Sequence, residues 1–363
     1  MLATYTLNAG REHDTYTAIA QIDNATHDVA ADSDVTARSN TGSVHTGSPT
    51  WIDSTPTPEE WLSLPHVADS LPYAAFLIAI VELCERFAYY GLSGPFQNYI
   101  SNKYNGNTGI PGALGLKQSG ATAMTNLFQF WCYITPLLGA YISDEYLGKY
   151  ATIKWFSVIY MAGIIVLFTT SLPGSIERGA ALPGLLVAMI VIGLGTGGIK
   201  SNVSPLIAEQ VRSNKPFVKQ LSSGRKVVID PELTIQRIYM LFYMCINFGS
   251  ISAIATTMLE LHVGFWSAFL LPLIMFCIGF AVLVVGKERY VIKPPEGGVI
   301  ANAFRALSIA VRHGGNLDCA RPSYRSESGD STHMVWDNHF IDELETALLG
   351  CKVFLFFPIY WYV

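Results

Sequence analysis

Five side chains able to hold or move a proton are packed into one short stretch of an otherwise apolar run: Glu82, Glu85, Arg86, Tyr89 and Tyr90. The run begins near Pro72. At about 100° per residue on a helix, these positions share one face, an arc of about 140°. Leu83, Phe87 and Ala88 lie opposite and suit lipid or packed helices. An ionisable residue at membrane depth costs roughly 2.5–3.5 kcal/mol on insertion scales, so three of them on one helix need a reason. Glu82 and Arg86, four residues apart, are spaced to pair, whereas the adjacent Glu85 and Arg86 face each other poorly. That leaves one carboxylate in excess, which a proton can neutralise. A buried ion pair that holds helix packing is the plainer reading of the same residues.

Other groups bear on the same chemistry. Lys200 closes the glycine-rich run Gly193-Leu-Gly-Thr-Gly-Gly-Ile-Lys200. It either snorkels to an interface or supplies a cation to the cavity of Glu82 and Glu85. The glycines lack the strand–turn–helix setting of a dinucleotide loop and fit close helix packing better. Asn247 is an amide in an apolar helix and needs a partner, either a neighbouring helix or a substrate; Tyr133 is ambiguous in the same way. Gly139, Asp144, Gly148 and Lys149 fall at a tight junction between two apolar blocks. They suit a charge network that latches one conformation, or an ordinary capped turn.

The elements that must position these groups are hydrophobic blocks. Half of the 363 residues are hydrophobic, and they cluster in stretches of about 20 or more, the length needed to cross a ~30 Å hydrocarbon core. Six spans are predicted, at about 72–93, 118–143, 151–172, 183–206, 236–260 and 264–286. A seventh apolar run starts at Leu348. The predicted units are a disordered cytoplasmic tail (1–68), a six-helix bundle (69–286), a cytoplasmic loop (287–347) and the start of a seventh span (348–363). The tail lacks the apolar core of a cleavable signal. Within the loop, Phe304, Leu307, Ile309 and Val311 suggest one short amphipathic helix, and Ile341, Leu344 and Leu348 another.

Basic residues set the expected orientation. Lys149 and Lys154, then Arg212, Lys215, Lys219, Arg225, Lys226 and Arg237, then the basic residues after span six all fall on the side of the N-terminus; Lys103, Lys117 and Arg178 fall on the other. The N-terminus is therefore expected in the cytoplasm. Cys84, Cys132, Cys245 and Cys277 fall inside spans and read as small core residues. No cysteine pair has metal-ligand or redox spacing. The net charge of −5 comes without a basic run, which argues against nucleic acid. No nucleophile–base set points to an enzyme.

Three motifs in order resemble a known family. Glu82-x-x-Glu85-Arg86-Phe87-x-Tyr89-Tyr90-Gly91 looks like the first-helix motif of the proton-dependent oligopeptide transporters, within the major facilitator superfamily. Gly139-Ala-Tyr-Ile-Ser-Asp144-Glu-Tyr-Leu-Gly148, continuing to Thr152-Ile153 and Ser157, resembles the family's loop signature. The run to Asn247-Phe-Gly249-Ser250 resembles its second signature. The stretch Ser93-Gly-Pro-Phe-Gln-Asn98-Tyr99 and the form of the 287–352 loop are similar to the fungal branch. The resemblance implies an all-α, polytopic membrane protein: the N-terminal six-helix bundle of a major facilitator fold and the start of a seventh span. Because the family has at least twelve spans, the chain is expected to represent it incompletely.

The resemblance further implies proton-coupled symport of di- and tripeptides across the plasma membrane, with the proton as coupling ion and no other cofactor. Glu82, Glu85, Arg86 and Lys200 would couple the proton. Tyr89, Tyr90, Tyr133 and Asn247 would contact peptide. Gly139, Asp144, Gly148 and Lys149 would form the latch. The expected partners are peptides, the lipid bilayer and a C-terminal half or full-length transporter. Alternatives are another substrate such as nitrate, or a half-bundle that binds or regulates a complete transporter without transporting.

Overall fold

The computed structural model describes residues 55–354, apart from 105–109, 212, 214, 222–223, 296 and 328–335. The elements in chain order are α1 (Pro58–Ser63), β1 (His66–Val67), α2 (Tyr73–Ser101), α3 (Lys117–Ile142), α4 (Lys149–Thr170), α5 (Pro173–Glu177), α6 (Ala181–Ala208), β2 (Phe217–Gln220), β3 (Lys226–Ile229), α7 (Pro231–Ser250), α8 (Ser252–His262), α9 (Phe265–Val285), α10 (Val299–Arg312), α11 (Pro322–Glu327) and α12 (Asn338–Phe354). A π-helical turn, Ser143–Leu147, joins α3 to α4.

The long helices follow the apolar blocks. Among the described residues, four passages are long and apolar enough to cross a membrane by length and composition: Lys149–Thr170, Ala181–Ala208, Pro231–His262 and Phe265–Arg289. The other two predicted spans, α2 and α3, form as helices of 29 and 26 residues. They are more polar, α2 through Glu82, Glu85 and Arg86, and α3 through Gln118, Thr122, Thr125, Asn126 and Gln129. The fifth predicted span is two helices, broken at Ile251 between α7 and α8.

Close packing rests on glycine. A Cβ on Gly139 of α3 would fall 2.6 Å from the Gly197 carbonyl oxygen and the Gly198 Cα of α6. On Gly198 it would fall 2.1 Å from Phe156 Cγ of α4, and on Gly195 2.6 Å from Tyr160 Cβ. The glycine-rich run is thus the surface that brings α6 against α3 and α4, as close helix packing requires. Polar side chains of α3 bond to backbone carbonyls of the same stretch: Trp131 Nε1 donates to Ile190 at 3.0 Å and Thr135 Oγ1 to Gly193 at 2.7 Å.

Several expectations need correction. Residues 58–67, assigned to the tail, are folded: α1 carries a Thr57–Glu60 capping box, and His66 and Val67 pair in parallel with Val228 and Ile229. With the antiparallel β2–β3 hairpin they complete a three-stranded sheet in the order β1-β3-β2. The sheet was missed because two residues of β1 make a strand only when β3, some 160 positions away, lies alongside. Residues 1–54 lie outside the described part of the chain. Of the four cysteines read as core, Cys84, Cys132 and Cys245 are buried but Cys277 is exposed.

Both loop helices form. On α10, Ala306 and Ala310 are buried, Ala306 packing with Ala320 and Ile341, while Phe304 and Val311 are exposed. Of the large residues chosen from periodicity, Ile341, Ile309 and Leu344 pack into this cluster, whereas Phe304 and Val311 face outward. The seventh apolar run lies largely outside the described residues; only its first part belongs to α12.

Candidate functional site

The centre of the bundle holds one guanidinium between two carboxylates. Arg86 Nε lies 3.0 Å from Glu82 Oε1 and 2.5 Å from Glu85 Oε2. All three residues are buried, none above 6% exposed. The sequence expectation was a Glu82–Arg86 pair with Glu85 left over. Glu85 instead reaches the same nitrogen as Glu82, so the two carboxylates share the guanidinium. The charge balance is unchanged: two negatives share one positive, and one uptake of a proton brings the set to neutrality. Glu85 Oε1, Glu82 Oε2 and Arg86 Nη2 have no hydrogen-bond partner among the described residues. Buried charges of this kind persist only where pairing compensates desolvation.

Neighbouring helices grip α2 at this level through their glycines. Gly249 of α7 lies against Arg86 and Phe87, and Gly279 of α9 against Cys84, where a Cβ would fall 2.6 Å from Cys84 Cβ. In the third resembling motif, Gly249 carries backbone directly to the arginine.

The aromatic residues divide. Tyr89 and Tyr90 are half-buried beside the triad; the Tyr89 ring centroid is 5.4 Å from Arg86 Cζ, within cation–π range. The two tyrosine rings meet edge to face at 5.5 Å. Tyr133 is 63% exposed on α3, and the Lys200 ammonium stands 4.6 Å from its ring centroid. Lys200 makes no ion pair with either glutamate, yet it is near enough for its charge to act on Glu82, Glu85 and Arg86. It is an exposed residue of α6, two turns before the helix ends at Ala208. Asn247 is also exposed, and its amide donates at 2.8 Å to the Tyr243 carbonyl of its own helix. The neighbouring-helix partner is not what it binds.

The latch residues assemble differently from the motif's suggestion. Lys149 pairs with Glu209, just past the end of α6. Gly148 ends the π-helical turn at φ 75°, a left-handed conformation that favours glycine. The Asp144 carbonyl accepts from Gly297 N at 3.1 Å, and Glu145 Oε2 accepts from Gly298 N at 2.7 Å. Gln210 exchanges bonds with Val291 at 2.9 and 3.2 Å. The junction thus ties the α3–α4 turn, the end of α6 and the segment before α10. Gly139 belongs to the α3–α6 packing and not to this network.

Sequence reasoning missed Tyr160, Glu209 and Gln210. Tyr160 is fully buried on α4, its hydroxyl has no partner among the described residues, and it is close enough to act electrostatically on Arg86. A phenol in an apolar span was a usable signal; Glu209 and Gln210 sit in a loop-like stretch and carried none. Among the described residues no group of His, Cys, Asp and Glu is placed to hold a metal ion.

The family model described as the POT family matches residues 150–363. Peptide transporter PTR_B of Candidozyma auris is 51% identical over 308 residues, covering 85% of this chain and 52% of that protein. Peptide transporter PTR2 of Saccharomyces cerevisiae is 46% identical over 306 residues, covering 84% and 50%. The chain spans about half the length of the curated relatives it matches. Among solved structures, the POT family transporter PepTSo aligns with a TM-score of 0.54 at 24% identity, covering 77% of this chain and 58% of that one. A peptide transporter POT in complex with sulfate aligns with a TM-score of 0.52 at 21% identity, covering 83% and 54%. At these identities the structural likeness establishes the fold.

Proposed function

Because this chain belongs to the POT family, a family of membrane transporters, we propose that it provides the proton-coupling half of a di/tripeptide symporter. The observation that carries the proposal is Arg86 held between Glu82 and Glu85 in the bundle interior. Protonation of one carboxylate frees the guanidinium from half of its charge contacts. It can then turn to the carboxylate of a zwitterionic peptide, with Lys200 as a second cation. Tyr89, Tyr90, Tyr133 and Asn247 supply ring faces and an amide to the peptide. Gly139, Asp144, Gly148 and Lys149 serve the conformational change, Lys149 through its pairing with Glu209. Alternating access follows as one half rocks against another. We place the protein in the plasma membrane with its N-terminus in the cytoplasm, a reading supported by the bias of basic residues toward the sheet-bearing end.

The test is uptake of labelled dipeptide by peptide-auxotrophic cells at acidic and neutral pH. Uptake that rises with acidity and loses that rise in Glu85→Gln supports the proposal. Uptake indifferent to pH, or unaffected by Glu85→Gln, overturns proton coupling through this motif.

A second reading draws on the exposed apolar face of α7 and α8, which includes Met240, Tyr243, Phe248, Ile254 and Met258. A half-bundle with this face free would bind another transporter half and not transport alone. Capture of a full-length transporter by this chain, without uptake, would favour it.

A further inference from the structure

Near the C-terminal end of α2, about three turns beyond the Arg86 triad, a second carboxylate is buried. Glu260 of α8 is 3% exposed. Its Oε1 accepts a 2.6 Å hydrogen bond from Asn98 Nδ2 of α2, and its Oε2 finds no partner among the described residues. Unlike Glu82 and Glu85, it pairs with no cation among the described residues. An isolated ionised carboxylate away from water is costly, and such groups are neutralised instead.

The contact closes a seam. Gly91 of α2 faces Thr256 and Ser252 of α8, Gly94 faces Ala253, and Asn98 faces Glu260. Small residues bring the two backbones together along the seam, and this closeness shuts water away from Glu260. Among the described residues, no charged side chain acts on it. On α2, Tyr99 follows Asn98; it is fully buried, its hydroxyl has no partner among the described residues, and its ring lies against Phe265 and Phe269. On α8 itself, His262 is exposed and directed to the Met258 carbonyl. The first turns of α9, Phe265 to Leu273, hold no ionisable side chain, and α7 ends ten residues before Glu260. Among the described residues, only Asn98 engages the carboxyl.

We infer that Glu260 is a second proton-binding site of the bundle, separate from the Arg86 triad, which holds the α2–α8 seam closed through Asn98 while it carries its proton. Loss of the proton leaves a charge without a counter-ion, which must draw water into the seam or part the helix ends. The triad reading proposed above is independent of this site.

The experiment is infrared spectroscopy of the full 363-residue chain in lipid nanodiscs, following the carbonyl band of protonated carboxyl groups at neutral pH and on titration to alkaline pH. The wild type is expected to show a band that is lost in Glu260→Gln and displaced in Asn98→Ala, which removes the hydrogen bond to that carbonyl. Glu82→Gln should leave this band in place. A neutral-pH carboxyl band that neither Glu260→Gln nor Asn98→Ala changes overturns the inference. If Glu260→Gln does not fold, Asn98→Ala decides alone, and an unmoved band again overturns it. Since no transport is measured, failure here leaves peptide symport untouched.

Discussion

Gly249 lies directly on Arg86. A Cβ at position 249 would stand 2.7 Å from Arg86 Cβ and 2.9 Å from Phe87 N, closer than such atoms come. The helix that carries the third motif, Asn247-Phe-Gly249-Ser250, is therefore seated on the residue at the centre of the first. Gly249→Ala must push α7 away or displace α2, and overpacking of this kind costs about 1–3 kcal/mol. Gly350→Ala on α12, with nothing within 4 Å, is the control and should gain up to about 1 kcal/mol from helix propensity. Thermal unfolding of both variants in nanodiscs compares them; equal effects would dismiss the contact.

The triad predicts an asymmetry between removing one partner and removing all. Arg86→Met leaves Glu82 and Glu85 buried without a cation and should destabilise by about 3–5 kcal/mol. The combined Glu82→Gln, Glu85→Gln and Arg86→Met variant removes every charge and should recover most of that loss. It should not recover pH-dependent uptake. Stability that stays low in the triple variant would mean the residues matter by shape alone.

The Lys149–Glu209 pair joins the α3–α4 turn to the end of α6, with both side chains only partly exposed. Lys149→Glu sets two like charges together and should cost about 1 kcal/mol, near the top of the range for such pairs. The exchanged variant Lys149→Glu/Glu209→Lys should restore stability. If uptake falls with the single change and returns with the exchange, the pair acts in the transport cycle as well.

Outside the bundle, Glu60 closes the capping box of α1, accepting from Thr57 N at 3.0 Å and Thr57 Oγ1 at 3.1 Å. The backbone bond first, and then the hydroxyl bond, hold its carboxyl below the usual range. A folded value below the unfolded one means the cap is intact above the unfolded carboxylate range and is lost as pH falls through the folded value. The Thr57 amide proton shift, followed by NMR through the acidic range, should report that loss. In Glu60→Ala the same amide should titrate flat.

How much was legible in advance differs from residue to residue. The helices were readable because apolar blocks of span length have few alternatives in a membrane, where backbone groups must be satisfied internally. The face shared by Glu82, Glu85, Arg86, Tyr89 and Tyr90 was readable because helical periodicity alone sets it. The packing role of the glycine run could be argued from its setting in an apolar helix. Asn247 shows the limit: an amide in an apolar helix needed a partner, and its own helix supplied one.

By itself, then, the amino-acid sequence determined the order of the helices, the polar face of α2 and the three motifs that place the chain in its family, since each depends on neighbours within a few turns. Only the tertiary structure decided that both glutamates share Arg86, that Lys149 pairs with Glu209, that β1 finds β3, and that Glu260 is enclosed against Asn98. Those contacts join positions far apart in the chain, or depend on how a long side chain settles once its surroundings are packed. Spacing says which way a residue faces, but what stands opposite is settled by the packing of the other helices.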